Sequence, residues 1–267
     1  MGMSELRKLP SDWEWIGPAE PFLDWLDHEV FLKYPFATGH VLPHGSEDST
    51  WVLHSQYVCP IGVNPDDLGD FWPGQGFSPR PPHGWRRVLW RDVAAAKGVA
   101  LRSPLSELGE APPCDGWEAV IDGPLFQAAA EDAFVAPTEG SMSQLELEKL
   151  IPILAAHTTT TRVQGVLSYM DSAGAVDVPG DPDGVRYALS FELPGMVTDL
   201  LSVSDPNDRV TPELWWPEDR AWLVWSDYDL MGSKIFGSRA LIQQIREHPD
   251  LESLDWFPNS HTESSDV

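Results

Sequence analysis

Prolines and glycines recur so densely along this chain that no regular element can run far before it is broken. There are 25 prolines and 21 glycines in 267 residues. Residues 60–84 alone hold six prolines and five glycines, with Phe71, Trp72 and Phe77 among them. Proline removes a backbone donor and glycine frees the backbone, so such a cluster predicts a loop. The stretches left between the clusters are short, mix helical and strand-like patterns, lack regular βαβ spacing and show no internal repeat. That predicts an α+β fold: a mainly antiparallel sheet with a few flanking helices and long Pro/Gly-rich loops. Hydrophobic residues make up 42%, enough for a packed core. No apolar run reaches the roughly 20 residues needed to cross a bilayer.

Periodicity predicts helices over 20–34, 93–97 (capped by Asp92), 124–134 and 239–247 (capped by Ser238). A further helix is expected from Ser141 or Ser143 to about residue 157, with a capping-box acceptor three residues on and a kink or break at Pro152. Strands are expected over 51–58, 86–90, 163–170, 185–193 and 221–226. Residues 1–18 read as an irregular lead-in and 227–237 as a turn-rich connection. The expected organisation is an N-terminal α+β region over 1–136, a C-terminal α+β region over 137–257 that can form one domain with it, and a polar tail over 258–267.

Charge narrows the partners. There are 42 acidic and 17 basic side chains, a net charge of −25. The surplus is spread along the chain, net −13 over 1–160 and net −12 over 161–267. Such a field repels phosphate backbones and anionic membranes, so neither nucleic acid nor membrane is an expected partner. It attracts a basic protein and speeds the encounter. Two cysteines, Cys59 and Cys114, make no disulfide framework, and no apolar stretch follows Arg7 and Lys8, so the expected location is the cytoplasm.

Two stretches of the second half carry a resemblance. One runs from Pro137-Thr-Glu-Gly-Ser141 into a helix ending in His157-Thr-Thr-Thr-Thr161. The other is Trp215-Trp-Pro-Glu-Asp-Arg-Ala-Trp222, followed by Asp227-Tyr-Asp229 and Gly237-Ser-Arg-Ala-Leu241. Together they resemble a widespread group of uncharacterised proteins from high-GC Gram-positive bacteria. Those proteins pair a W-P-x-D-R-x-W strand with a G-S-x-x-L-I helix. The resemblance covers residues 137 to about 257 and implies a fold neighbourhood without an activity. Where members carry Gly-Gly-Ser before the last helix, this chain has Phe236-Gly237-Ser238.

The candidate binding residues follow from local chemistry. Arg220 lies between Trp216 and Trp222, and a guanidinium stacked on indoles is a strong anion reader; its structural role would be a pair with Asp219, Asp227 or Asp229. Asp227 and Asp229 alternate, so both can point to one face. Arg86 and Arg87 belong to a basic island over 80–102 (Arg80, Arg86, Arg87, Arg91, Lys97 and Arg102 against Asp92) that can hold an anion or dock onto the acidic remainder of the fold. His40 and His44 flank Pro43, which defeats helical zinc spacing, and His54 and Cys59 fall on opposite faces of a strand. No Walker A loop, G-x-S-x-G elbow or H-E-x-x-H is present, and Gly74-Gln-Gly76 lacks the rest of a dinucleotide loop. No catalytic residue, metal or cofactor is predicted. The expected function is a non-catalytic acidic interaction protein, immunity- or adaptor-like, whose 13 tryptophans serve as interface anchors for a basic partner. The alternative is an enzyme or binding protein with an anionic small-molecule site built from arginines and tryptophans.

Overall fold

The computed structural model describes residues 9–26, 43, 45–58, 77–96, 134–135, 140–168, 186–205, 208–226 and 231–255. Eleven strands are formed there: β1 (Glu14–Pro18), β2 (Asp48–Leu53), β3 (Gln56–Val58), β4 (Arg86–Val88), β5 (Phe134–Val135), β6 (Arg162–Ser168), β7 (Arg186–Glu192), β8 (Leu214–Pro217), β9 (Trp222–Ser226), β10 (Gly232–Gly237) and β11 (Ser253–Leu254). The helices are α1 (Glu20–Leu23), α2 (Trp90–Ala96), α3 (Gln144–Ala156), α4 (Met196–Ser202) and α5 (Arg239–Arg246). The fold is α+β with a mainly antiparallel sheet.

Eight strands form one sheet in the order β1-β7-β6-β8-β9-β10-β2-β11, and three more form a small sheet, β4-β3-β5. Each of these pairings is antiparallel. Strands β1 and β2, from before residue 136, sit in the same sheet as β6 to β11.

Both faces of the large sheet are covered. On one, Val52, Val163, Phe191, Trp215, Trp222, Val224 and Ile235 pack against Leu147, Leu150 and Leu154 of α3, Met196 and Leu200 of α4, and Leu241, Ile242 and Ile245 of α5. On the other, Trp51, Leu53, Val166, Leu214, Trp216, Leu223, Trp225 and Phe236 pack against Leu23, Leu26, Val88 and Trp90. Two-sided cover is why β8, β9 and β10 are buried at every position.

Local signals place the two longest helices. In α3 the capping box is Ser143 with Glu146, and in α5 the Ser238 hydroxyl accepts from the Leu241 amide at 3.3 Å. The kink or break expected at Pro152 is not a break: α3 runs through it, with Pro152 on the exposed side, where water can take the unmade bond.

Elsewhere the structure corrects the expectations. The lead-in ends in a strand, β1. The helix expected over 20–34 is one turn, α1, then a bend to Leu26; its remainder lies outside the described residues, as does the helix expected over 124–134. The single strand expected over 51–58 is two, because the His54 amide donates to the Met231 carbonyl and the Ser55 hydroxyl to Glu146, turning the chain into the small sheet. Trp90 opens α2 rather than closing a strand, and Asp92 lies inside the first turn. The carboxylate of Glu252 takes the amides of Trp90 and Arg91, both at 2.7 Å, so the cap comes from the far end of the chain. Residues 232–237, expected as part of a connection, are the buried strand β10. Patterning alone leaves α4 unassigned.

Candidate functional site

The W-P-E-D-R-A-W motif is a hairpin corner rather than one strand. β8 ends at Pro217, β9 starts at Trp222, and the Arg220 amide donates to the Pro217 carbonyl at 2.8 Å. Arg220 takes a left-handed backbone, φ 56°, unusual for a residue with a Cβ. Asp219 accepts from the Thr158 hydroxyl (2.8 Å), the Thr159 amide and hydroxyl (both 2.7 Å) and the Ala221 amide (3.2 Å). Burial pushes this carboxyl up, but the hydrogen bonds from Thr159 and Thr158 more than offset it and hold it below its ordinary value. The threonine run after α3 and the Glu-Asp-Arg corner, apart in sequence, therefore meet at Asp219.

The expected Trp216–Arg220–Trp222 sandwich does not form. Successive strand positions face opposite sides, and the corner leaves the two indoles in different cores. Trp222 lies among the helices, its indole N–H donating to the Leu154 carbonyl at 3.0 Å. Trp216 is on the other face, its N–H donating to Gln164 Oε1 at 3.1 Å and its ring 5.6 Å from Trp25. Arg220 lies over Trp25, 5.3 Å from the ring centre. Among the described residues it makes no ion pair, because Asp219 is held by the threonines. Asp227 and Asp229 lie outside the described residues.

Around this corner a polar row crosses the sheet. Glu14 on β1 stands opposite Ser190 on β7, Ser190 opposite Gln164 on β6, and Gln164 opposite Trp216 on β8. One step along, Arg162 pairs in register with Glu192, its Nη2 is 2.9 Å from Glu14, and its Nε is 4.0 Å from Glu218. The Ser190 hydroxyl is buried and, among the described residues, has no hydrogen-bond partner.

Arg86 and Arg87 belong to another place. Arg86 is exposed on β4. Arg87 donates to the Asp250 carbonyl at 2.6 Å and reaches Glu146 at 3.9 Å; Arg80 of the same island pairs with Glu148. Lys97 and Arg102 lie outside the described residues. Glu146 stands near the start of α3, and Thr158, bonded to Asp219, follows its end. At 1.5 Å per residue, the twelve steps from one to the other span about 18 Å. Arg87 and Arg220 thus stand at opposite ends of α3 and do not build one pocket.

Several buried polar groups escaped sequence reasoning. Glu146, 1% exposed, accepts from the Ser143 amide at 2.8 Å and from the hydroxyls of Ser143 and Ser55. Burial, then the charge of Glu146, pushes the Tyr57 hydroxyl well above its ordinary value. His54 Nε2 is 2.9 Å from the Ser233 hydroxyl, itself 2.6 Å from that of Ser226. Lys234 is 2% exposed, with its ammonium 5.5 Å from the ring centres of both Trp51 and Phe236. Burial draws it down to about 8, with Asp255 pulling the other way. Only the capping-box spacing of Glu146 signalled any of these in the sequence; the rest depend on strands distant along the chain.

Among the described residues no group of three or more His, Cys, Asp or Glu side chains could hold a metal ion, and no helix is long and apolar enough to cross a membrane. No protein-family model matches the chain, and neither does any curated protein or solved structure.

Proposed function

We propose that the chain is a non-catalytic acidic interaction protein, immunity- or adaptor-like, that binds a basic protein partner in the cytoplasm. The observation that carries this reading is how its charges are used. Among the described residues, Arg80, Arg87, Lys149, Arg162 and Arg246 are ion-paired within the chain, while Arg209 and Lys234 are buried. Asp12, Asp24, Asp92, Glu192 and Glu247 are exposed and carry no ion pair among the described residues. Arg86, Arg91, Arg220 and Arg239 are exposed too, so the reading rests on the surplus of carboxylates that face outward, which favours a cationic surface.

The tryptophans do not support this reading in the way the sequence suggested. Those at positions 13, 51, 90, 215, 216, 222 and 225 are buried core residues, and the one exposed large hydrophobic side chain among the described residues is Leu201. Recognition is then electrostatic and salt-sensitive.

The test is an affinity pull-down of the tagged chain from the lysate of its own cell, at about 50 mM and about 500 mM salt. A basic protein recovered in roughly stoichiometric amount and released at high salt is the expected result. An empty low-salt pull-down would overturn the proposal. A second reading, a small anionic ligand, rests on Arg220 alone, the cation over Trp25. It predicts a thermal shift with a phosphate- or carboxylate-bearing compound that is lost in Arg220→Ala.

A further inference from the structure

The last long strand of an open sheet presents a row of N–H and C=O groups with which another chain can pair. Among the described residues the large sheet ends at β11, which is only two residues long and lies against β2, which is six. Trp51, Val52 and Leu53 of β2 are buried core residues. An open edge on so apolar a strand invites pairing with another molecule.

Alternation shows which backbone groups face that edge. The His54 amide donates to the Met231 carbonyl on the β10 side at 2.9 Å, and the Leu53 amide donates to the Glu252 carbonyl on the β11 side at 2.8 Å. The backbone groups of Leu53, Trp51 and Ser49 therefore point outward, and those of Val52 and Thr50 point toward β10. The β11 segment takes the first two, Leu53 through Glu252 and Trp51 through its register partner Leu254. It stops short of Ser49, where side chains stand in for a strand. The Ser49 amide donates to Asp48 Oδ1 at 2.8 Å, and the Ser49 carbonyl accepts from Arg246 Nη2 at 3.1 Å. The same guanidinium holds the Asp48 carboxylate at 2.6 and 3.1 Å, and its Nε donates to Asp255, the residue after Leu254, at 3.0 Å. One side chain thus closes the edge where β11 ends and ties down that end. The side chains of Arg246 and Asp48 are 23% and 26% exposed, so this bidentate pair is shielded enough to hold better than a surface pair.

We infer that Arg246 is the latch of this edge: together with β11 it keeps β2 from adding the β2 strand of a second copy of the chain. A second copy is the occupant that an opened edge takes, because a strand pairs antiparallel with its own twin about a two-fold axis and needs no other complementary surface. Lysine cannot replace the latch. A single ammonium lacks the planar fork that reaches two carboxylates and a carbonyl at once.

The test uses the full chain and two readouts. Sedimentation velocity is run from about 10 to about 200 µM protein in about 150 mM salt, which screens the repulsion between two acidic copies. The mass of Arg246→Met is expected to rise with concentration toward twice that of the natural chain, and Arg246→Lys should behave in the same way. If Arg246→Met does not fold, Arg246→Lys, which keeps a positive charge beside Asp48, carries the comparison. Adding Ser49→Pro to either variant should return the mass to that of the natural chain. A proline there removes an amide that faces outward, which spoils pairing at the edge and leaves the bonds to β10 in place. The second readout is backbone amide exchange in Asp255→Asn, which frees the end of β11 while Arg246 still covers Ser49. The Trp51 amide should exchange about tenfold faster than in the natural chain, while the amides of Thr50 and Val52, which face β10, keep their rates. An unchanged mass in both Arg246 variants would overturn the latch. So would association that survives Ser49→Pro, since it would run through another surface, or an equal change at Trp51 and Thr50, since it would report loosening of the whole sheet.

Discussion

An ammonium between two aromatic rings and almost out of reach of water is costly to keep charged. Lys234 meets this cost on β10, flanked by Trp51 and Phe236, and its ammonium falls to about 8 from an ordinary 10.5. Between those two values the unfolded chain holds its proton while the folded chain has released it. Stability therefore rises with pH across that window, and the cost of burying the charge is present in full below about pH 8. The shift corresponds to about 3 kcal/mol, an order-of-magnitude figure. Lys234→Met, which keeps length and apolar contact, is expected to stabilise the chain at pH 7 by about 1–3 kcal/mol and to remove the rise. Urea unfolding at about pH 7, 8, 9 and 10, read as the difference between natural chain and variant, checks this. Parallel pH profiles would mean that Lys234 does not titrate in that range. Its place was not legible in the sequence, because Gly-Ser-Lys-Ile-Phe-Gly has the composition of a turn, and the rings that enclose the lysine come partly from β2.

At the scale of the element, the corner between β8 and β9 puts a residue with a Cβ where glycine is favoured. The left-handed backbone of Arg220 costs about 1 kcal/mol relative to glycine. Its guanidinium over Trp25 repays part of that cost. Removing the side chain therefore has opposite consequences by route. Arg220→Ala keeps the strained Cβ and loses the contact with Trp25, and is expected to destabilise by about 1 kcal/mol. Arg220→Gly loses the same contact but relieves the backbone, and should unfold later than the alanine variant by about 1 kcal/mol. At an ordinary position the order would be reversed, so the two urea midpoints decide whether the corner is strained. Elements set by local chemistry were legible here: the caps of α3 and α5, their apolar sides, and strands β6, β7 and β9. Elements set from a distance were not. The start of α2 is capped by Glu252, and the break between β2 and β3 depends on Met231 and Glu146. The candidate site followed the same rule: the motif reads in sequence as one strand with Arg220 between Trp216 and Trp222, while the corner that parts the two indoles and the neighbours Trp25, Gln164 and Ser190 come only from the tertiary fold.

Across the whole molecule, the apparent boundary near residue 136 divides the sequence but does not divide the sheet. β2 comes from the first half and lies between β10 and β11 of the second, paired with β10 along six register positions from Asp48 to Leu53. Its Trp51 and Val52 belong to the two different cores, one on each face. Arg246 of α5 also holds Asp48 through both of its terminal nitrogens, at 2.6 and 3.1 Å, so the last helix leans on the same strand. Hydrogen bonding to Arg246 draws the Asp48 carboxyl below its ordinary value. Without residues 1–136, β10 would become an unpaired edge that carries Ile235 and Phe236, and both cores would open along it. A fragment of residues 137–257 is therefore expected to lose the cooperative unfolding transition of the full chain and to aggregate or stay loosely packed, although it contains most of the large sheet's strands. Near-ultraviolet circular dichroism and thermal melts of the fragment and the full chain, at equal concentration, provide the comparison, since the buried tryptophans give a strong signal only when they are fixed. A sharp, reversible transition in the isolated fragment would show that β2 is an addition to the fold rather than a part of its core.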